Sequence, residues 1–327
     1  MKEFSTASVR NIVLASHSNS GKTMLTEAFL HFTGATTRIG KIEDGTTTSD
    51  FDDEEHRRGI SLFTSVIPVI YKDLKINFLD TPGYSDFVGE VVSAMRVADS
   101  VLVLVDSVGG MEVGTETAMN YAAKFNLPMF MVINKMDREN ANFTAVLEKA
   151  RNTFGNGVAP IQLPIGSQDN FKGVVDLVKM KAYVYTGSQS GKYEETEIPA
   201  ELMAQAEEYR EMLVEAAAEG DDDLTMKYLE GEPLTDDEIA LGLRKGTVAK
   251  KVFPLLCGAA QKNIGAAQLL VEVEWGKRRS SAWFRMPLAK GCLDALLHVG
   301  KGELGGRVHG HFICGESRND GLKQYDC

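Results

Sequence analysis

The stretch Asn11-Ile-Val-Leu-Ala-Ser16-His-Ser-Asn-Ser-Gly-Lys-Thr23, followed by Met24 to Phe32, decides how this chain folds. Asn11 to Ser16 is short and apolar and reads as a buried parallel strand. His17 to Gly21 is a small polar loop, and Met24 to Phe32 has helical spacing. Strand, loop and helix in this order suit a phosphate-binding loop: backbone N–H groups of His17, Ser18, Asn19, Ser20 and Gly21, with the helix N-terminus, would cradle phosphates. Lys22 would reach the β and γ oxygens, and the Thr23 hydroxyl would bind Mg²⁺. One departure from G-x-x-x-x-G-K-[ST] is visible, Ser16 in place of the first glycine.

Working outward, Lys75 to Leu79 reads as a second strand and ends in Asp80-Thr-Pro-Gly83. A carboxylate at a strand end suits Mg²⁺, often through water. Gly83 has no Cβ, so its N–H can come close to a γ-phosphate. Between the two motifs lie an acidic, Thr-rich loop, Asp44 to Glu55, and Arg57-Arg-Gly-Ile-Ser61. The Ser61 hydroxyl would complete the Mg²⁺ shell only when the γ-phosphate is present, which makes an order–disorder switch.

The base is chosen further along, at Asn134-Lys-Met-Asp137 after the strand Met129 to Ile133. Guanine presents N1–H and its N2 amine as adjacent donors, and an ionised Asp137 accepts both. Adenine offers no such pair, so the carboxylate would face it unpaired. Asn134 can bridge base and phosphate loop, and the Lys135 stem can lie on the purine face. Gly258, Ala259 and Ala260, after the strand Val252 to Leu256, are small enough to bring backbone N–H groups to guanine O6. The ligands implied are GTP, GDP and Mg²⁺.

Helices over Val88 to Val97, Thr115 to Phe125 and Phe143 to Phe154 alternate with strands such as Val101 to Val105. The fold class is therefore α/β, a P-loop NTPase with a doubly wound, mostly parallel sheet and ligands at strand C-terminal ends. The pattern changes from 158 to 250. Strands at Gln162 to Ile165, Gly173 to Val178 and Tyr183 to Tyr185 precede helices at Ala200 to Ala218 and Thr235 to Ala249, with Asp222 and Asp223 as a solvated cap. This is an α+β insert that divides the GTPase core into 1–157 and 251–272.

These motifs together resemble the translational GTPases, and most closely elongation factor G and elongation factor G-like proteins. The resemblance rests on Ser16 to Thr23, Arg58 to Ser61, Asp80-Thr-Pro-Gly-Tyr-Ser-Asp-Phe87, Asn134 to Asp137, Cys257-Gly-Ala-Ala-Gln-Lys-Asn263 and the insert stretches Pro164 to Val178 and Ala216 to Leu229. It implies GTP hydrolysis with Lys22, Gly83 and Tyr84 at the reacting end and a role in ribosomal elongation. It also implies contact with the large-subunit factor-binding region, and with the stalk protein through the insert. The alternative is a GTP/GDP switch that does not hydrolyse, or a ribosome-binding module; ribosomal-protection and release-factor paralogues share the core motifs. The chain departs from the family at Tyr84, where a His usually positions the attacking water. It departs also at Ser18, Asn19, Ser61 and Ala259, where an apolar residue, Asp, Thr and Ser are usual.

A net charge of −11 argues against broad binding to nucleic-acid backbone, and no sequence-specific nucleic-acid partner is expected. No run of 18 apolar residues is present and Met1 to Arg10 lacks a signal-peptide core, so the expected setting is cytoplasmic, with no membrane partner. Residues 273–327 read as an atypical end: from 271 onward nine Lys or Arg meet seven Asp or Glu, and both tryptophans fall there. The resemblance would continue with a helix and a β-barrel, which Val271 to Arg279 does not match. A frame-shifted, poorly ordered tail is the expectation.

Overall fold

The computed structural model describes residues 3–186 and 189–275, with the backbone alone for 271–275. The expectation about the tail beyond 275 therefore lies outside the described residues. The core runs β1 (Val9–Ala15), α1 (Lys22–Phe32), α2 (Asp53–Arg58), β2 (Ser65–Tyr71), β3 (Leu74–Asp80), α3 (Val88–Val97), β4 (Ser100–Asp106), α4 (Val113–Lys124), β5 (Met129–Asn134) and α5 (Phe143–Phe154). The chain continues through β6 (Val158–Pro160), β7 (Gln162–Ile165), β8 (Gly173–Asp176), β9 (Lys181–Tyr185), β10 (Tyr193–Thr196), α6 (Ala200–Ala218), α7 (Asp222–Leu229), α8 (Asp236–Val248), β11 (Phe253–Cys257) and α9 (Ala266–Trp275).

A seven-stranded sheet in the order β2-β3-β1-β4-β5-β11-β6 forms the centre. All its pairings are parallel except β2 with β3. The middle of β4, Val101 to Val105, is apolar and wholly buried, as expected of a strand covered on both faces. Edge strand β2 alternates buried and exposed residues and carries Pro68, whose missing N–H is tolerated at an edge. Phe29 of α1 stacks on Phe78 of β3 with ring centroids 4.4 Å apart, fixing α1 over the sheet. Because β1, β3, β4, β5 and β11 run parallel, Ser16, Asp80, Asp106, Asn134 and Cys257 arrive at one edge of the sheet.

A second, antiparallel sheet, β10-β9-β8-β7, carries the insert together with α6, α7 and α8. Gln162 of β7 stitches it to the core by accepting the Cys257 N–H at 3.1 Å. The alternation of the sequence left several elements unseen. β6 pairs in parallel with β11, so Val158 to Pro160 completes the core sheet and the insert begins after it. The loop from Asp44 to Glu55 is not all loop, since Asp52 and Glu55 form a capping box that starts α2. Asp222 and Asp223 fill the first turn of α7, whose cap is Asp221. β2 and β10 have no counterpart among the expected strands, and α9 continues through Val271 to Trp275.

Candidate functional site

The loop after β1 is built around Lys22. Its ammonium donates to the His17 carbonyl at 3.1 Å and to Ser16 Oγ at 3.2 Å, and Ser16 Oγ in turn touches Ser20 Oγ. Ser16 is not among the residues with positive φ, which is why Ser can stand where the motif has Gly. Asn19, at φ 59°, and Gly21, at φ 95°, make the left-handed turns. Gly21 caps α1 without a side-chain hydrogen bond, so the first N–H groups of α1 face the cleft with no side-chain acceptor. A phosphate would supply those acceptors. Burial drives the Lys22 ammonium down to about 8 against the opposing pull of Asp80.

Gly83 closes over the same amine. A Cβ there would lie 2.6 Å from Lys22 Nζ and 2.7 Å from Ser18 Cα, so only glycine fits. Asp80 is 2 % exposed, and neither of its carboxylate oxygens has a hydrogen-bond partner. Burial pushes its pKa up to about 6, while the nearby Ser49 hydroxyl and the Lys22 charge hold it back without meeting hydrogen-bond geometry. Thr23 Oγ1 lies 3.3 Å from Ser61 Oγ, and Ser61 donates to Asp50 Oδ1 at 2.7 Å. Two orphaned carboxylate oxygens beside two hydroxyls and a second carboxylate are an all-oxygen donor set, the chemistry that suits Mg²⁺. Among the described residues, no group of three or more His, Cys, Asp or Glu is placed to hold a metal.

The base side is assembled by Asn134, 2 % exposed at the end of β5. Its Nδ2 donates to the Ser20 carbonyl at 2.9 Å and its Oδ1 accepts the Ala260 N–H at 3.0 Å, joining three loops. Lys135 sits at φ 63° with its amine donating to Asp106 Oδ2 at 2.8 Å, which stretches its stem along the cleft wall. Asp106 is half-buried, which raises its pKa, but the Lys135 bond and the Val108 and Gly109 N–H groups outweigh that and lower it. Asp137 faces the cleft 3.9 Å from the Lys262 ammonium.

These residues line a cleft of about 370 Å³ that runs from Ser18, Lys22, Ser61, Gly83 and Tyr84 at one end to Asn134, Lys135, Asp137 and Ala260 at the other. Tyr84 is exposed and stands at the phosphate end. Not every expected residue meets it. The His17 ring lies 3.6 Å from Glu112, away from the cleft, and only its carbonyl enters the Lys22 network. The expectation that Gly258, Ala259 and Ala260 offer N–H groups to a base needs correction. Gly258 donates to the Ile133 carbonyl, Ala259 to the Ile264 carbonyl and Ala260 to Asn134. The cleft-lining residue of this turn beyond them is Gln261. Sequence reading missed Asp50 and Asp106. Asp106 ends an apolar strand just as Asp80 does, and that position was its only signal.

Two comparisons bear on this site. The model of the elongation factor Tu GTP binding domain matches residues 7–275. The crystal structure of ttk003000868 from Thermus thermophilus superposes with a TM-score of 0.77 at 35% identity, over 84% of this chain and 41% of that one. The chain thus spans less than half the length of that Thermus protein. With a match running from Ala7 to Trp275, over a cleft that holds buried Lys22 at one end and Asp137 at the other, this chain belongs to the elongation factor Tu GTP binding domain family.

Proposed function

We propose that this chain binds GTP and GDP with Mg²⁺ and hydrolyses GTP when stimulated by the ribosome, as the G domain of an elongation factor G-like protein. The observation that carries it is the cleft itself, with Lys22 at one end and Asp137 at the other. The family supports guanine nucleotide binding, and the likeness to elongation factor G rests on the insert and the motif order. The ribosomal surfaces it would meet are the large-subunit factor-binding region and the stalk.

Thr23, Ser61 and Asp80 would hold Mg²⁺, with Asp50 beside them, and the ion would neutralise phosphate charge. The chain's own groups orient the nucleotide. Lys22 places a positive charge where the β and γ oxygens lie. The α1 N-terminus and the Gly83 backbone add dipoles fixed before the substrate arrives. Water would attack the γ-phosphorus in line as the β–γ bridging oxygen leaves with the bond electrons, giving GDP and phosphate. Tyr84 can hold that water by a hydrogen bond, but a phenol is a weak general base. Slow intrinsic turnover follows, and rate depends on a partner.

Single-turnover GTP hydrolysis with and without ribosomes tests this. The proposal expects a slow basal rate and a rise of at least about tenfold with ribosomes. The exposed Tyr84 favours a second reading, a switch that does not hydrolyse. No ribosome-stimulated rate in the native chain, together with a large one in Tyr84→His, would establish that reading instead.

A further inference from the structure

The carboxylate of Glu55 is buried, does not line the cleft, and accepts four backbone N–H groups. Its Oε2 takes Phe51 at 3.0 Å and Asp52 at 3.1 Å, and its Oε1 takes Leu62 at 2.8 Å and Phe63 at 3.1 Å. One oxygen therefore grips the chain immediately after Asp50, and the other grips it immediately after Ser61. Asp50 and Ser61 are the loop residues that meet at the cleft, 2.7 Å apart. A second buried carboxylate, Glu27 of α1, holds the earlier part of the same loop by accepting Gly40 N–H at 2.8 Å and Thr48 N–H at 2.6 Å. Charge-assisted bonds to backbone are stronger than neutral ones, and a buried carboxylate left without them is costly.

We propose that Glu55 is the positioning residue of the 40–63 loop. Its carboxylate clamps residues 51–52 and 62–63 of the loop together so that the Ser61 hydroxyl is presented to the cation of a bound triphosphate. The proposal rests on the reading that the cleft takes Mg²⁺·GTP. It assigns to Glu55 the difference between triphosphate and diphosphate binding, because only the triphosphate state uses Ser61. The clamp needs four acceptor positions. A Gln side chain has one carbonyl oxygen, and its amide N–H₂ would face two N–H donors, so Glu55→Gln should release one end of the loop.

The test uses the full chain and two readouts. Trypsin cuts at Arg57 and Arg58, whose side chains are 69% and 51% exposed, and so reports loop opening without nucleotide. Calorimetric titration compares GDP with GTPγS, both with Mg²⁺. Glu55→Gln should be cut at least about fivefold faster, and lose about tenfold in GTPγS affinity while GDP affinity stays within about twofold. Glu55→Asp, which keeps the charge on a shorter stem, should move both readouts less and in the same direction. Asp52→Ala removes the N-cap acceptor of the Glu54 and Glu55 N–H groups, and leaves the Glu55 carboxylate and its four backbone donors. It should not change the ratio of GTPγS to GDP affinity. Equal losses for both nucleotides, unchanged proteolysis in Glu55→Gln, or the same ratio change in Asp52→Ala would overturn the clamp. Should the native chain bind neither nucleotide, the functional reading fails, while faster cleavage of Glu55→Gln still shows the clamp and unchanged cleavage refutes it.

Discussion

At the scale of single residues, Asp80 and Lys22 are two buried charges. Asp80 has no hydrogen-bond partner for either oxygen, which costs stability. Asp80→Asn removes the charge and should raise the stability of the nucleotide-free chain by on the order of 1 kcal/mol, read as a higher melting temperature. The same variant should lose the stabilisation that Mg²⁺ and GTP give the native chain. The two perturbed pKa values also set a pH window. Asp80 titrates near 6 in the free site, and its protonated form cannot hold a cation, so affinity for Mg²⁺·GTP should fall as pH drops through 6. Lys22 titrates near 8. A bound triphosphate favours the ammonium and raises that value, so above pH 8 binding must take up a proton and affinity should fall by up to about tenfold per pH unit. Titration calorimetry in buffers of different ionisation heat measures that uptake, which should be near zero at about pH 7 and approach about one proton near pH 9.

At the scale of elements, function depends on loops that leave the C-terminal ends of parallel strands, and one amide ties three of them. Asn134 bonds Ser20 on one side and Ala260 on the other. Asn134→Ala breaks both bonds and leaves the Ala260 N–H without its acceptor. It should cost about 2–4 kcal/mol of stability and weaken GDP binding at least about tenfold, measured by denaturant unfolding and equilibrium titration. Much of this level was legible in the chain. Apolar runs such as Val101 to Val105 announce buried strands, and the motif residues sit at their ends because topology places ligands there. What stayed hidden has physical causes. β2 is apolar from Val66 to Ile70 but carries Pro68 in its middle, which reads against a strand, and β10 is wholly exposed and shows no apolar run. α2 is a six-residue helix of charged side chains, held by its caps and by Glu55 rather than by an apolar face. Asp106 and Asp50 act through partners 29 and 11 residues away, and no local pattern records such pairings.

At the scale of the whole molecule, the insert and the GTPase core share a single hydrophobic core in which residues of β7, β8, α6 and α8 are buried together with the central sheet. The insert is thus braced against β6 and β11, and no residue of its sheet lines the cleft. No helix among the described residues is long and apolar enough to cross a membrane. The family match runs from Ala7 to Trp275, through both parts of the core and the insert between them. One cleft holds Lys22 at one end and Asp137 at the other, and on the proposed reading base selectivity is the property that depends on Asp137. Equilibrium competition between GTP and ATP for the full chain with Mg²⁺ measures it directly. GTP should bind at least about 100-fold more tightly, with the difference largely lost in Asp137→Ala. Equal affinity for the two nucleotides in the native chain would contradict the role given to Asp137 and with it the assignment of the cleft.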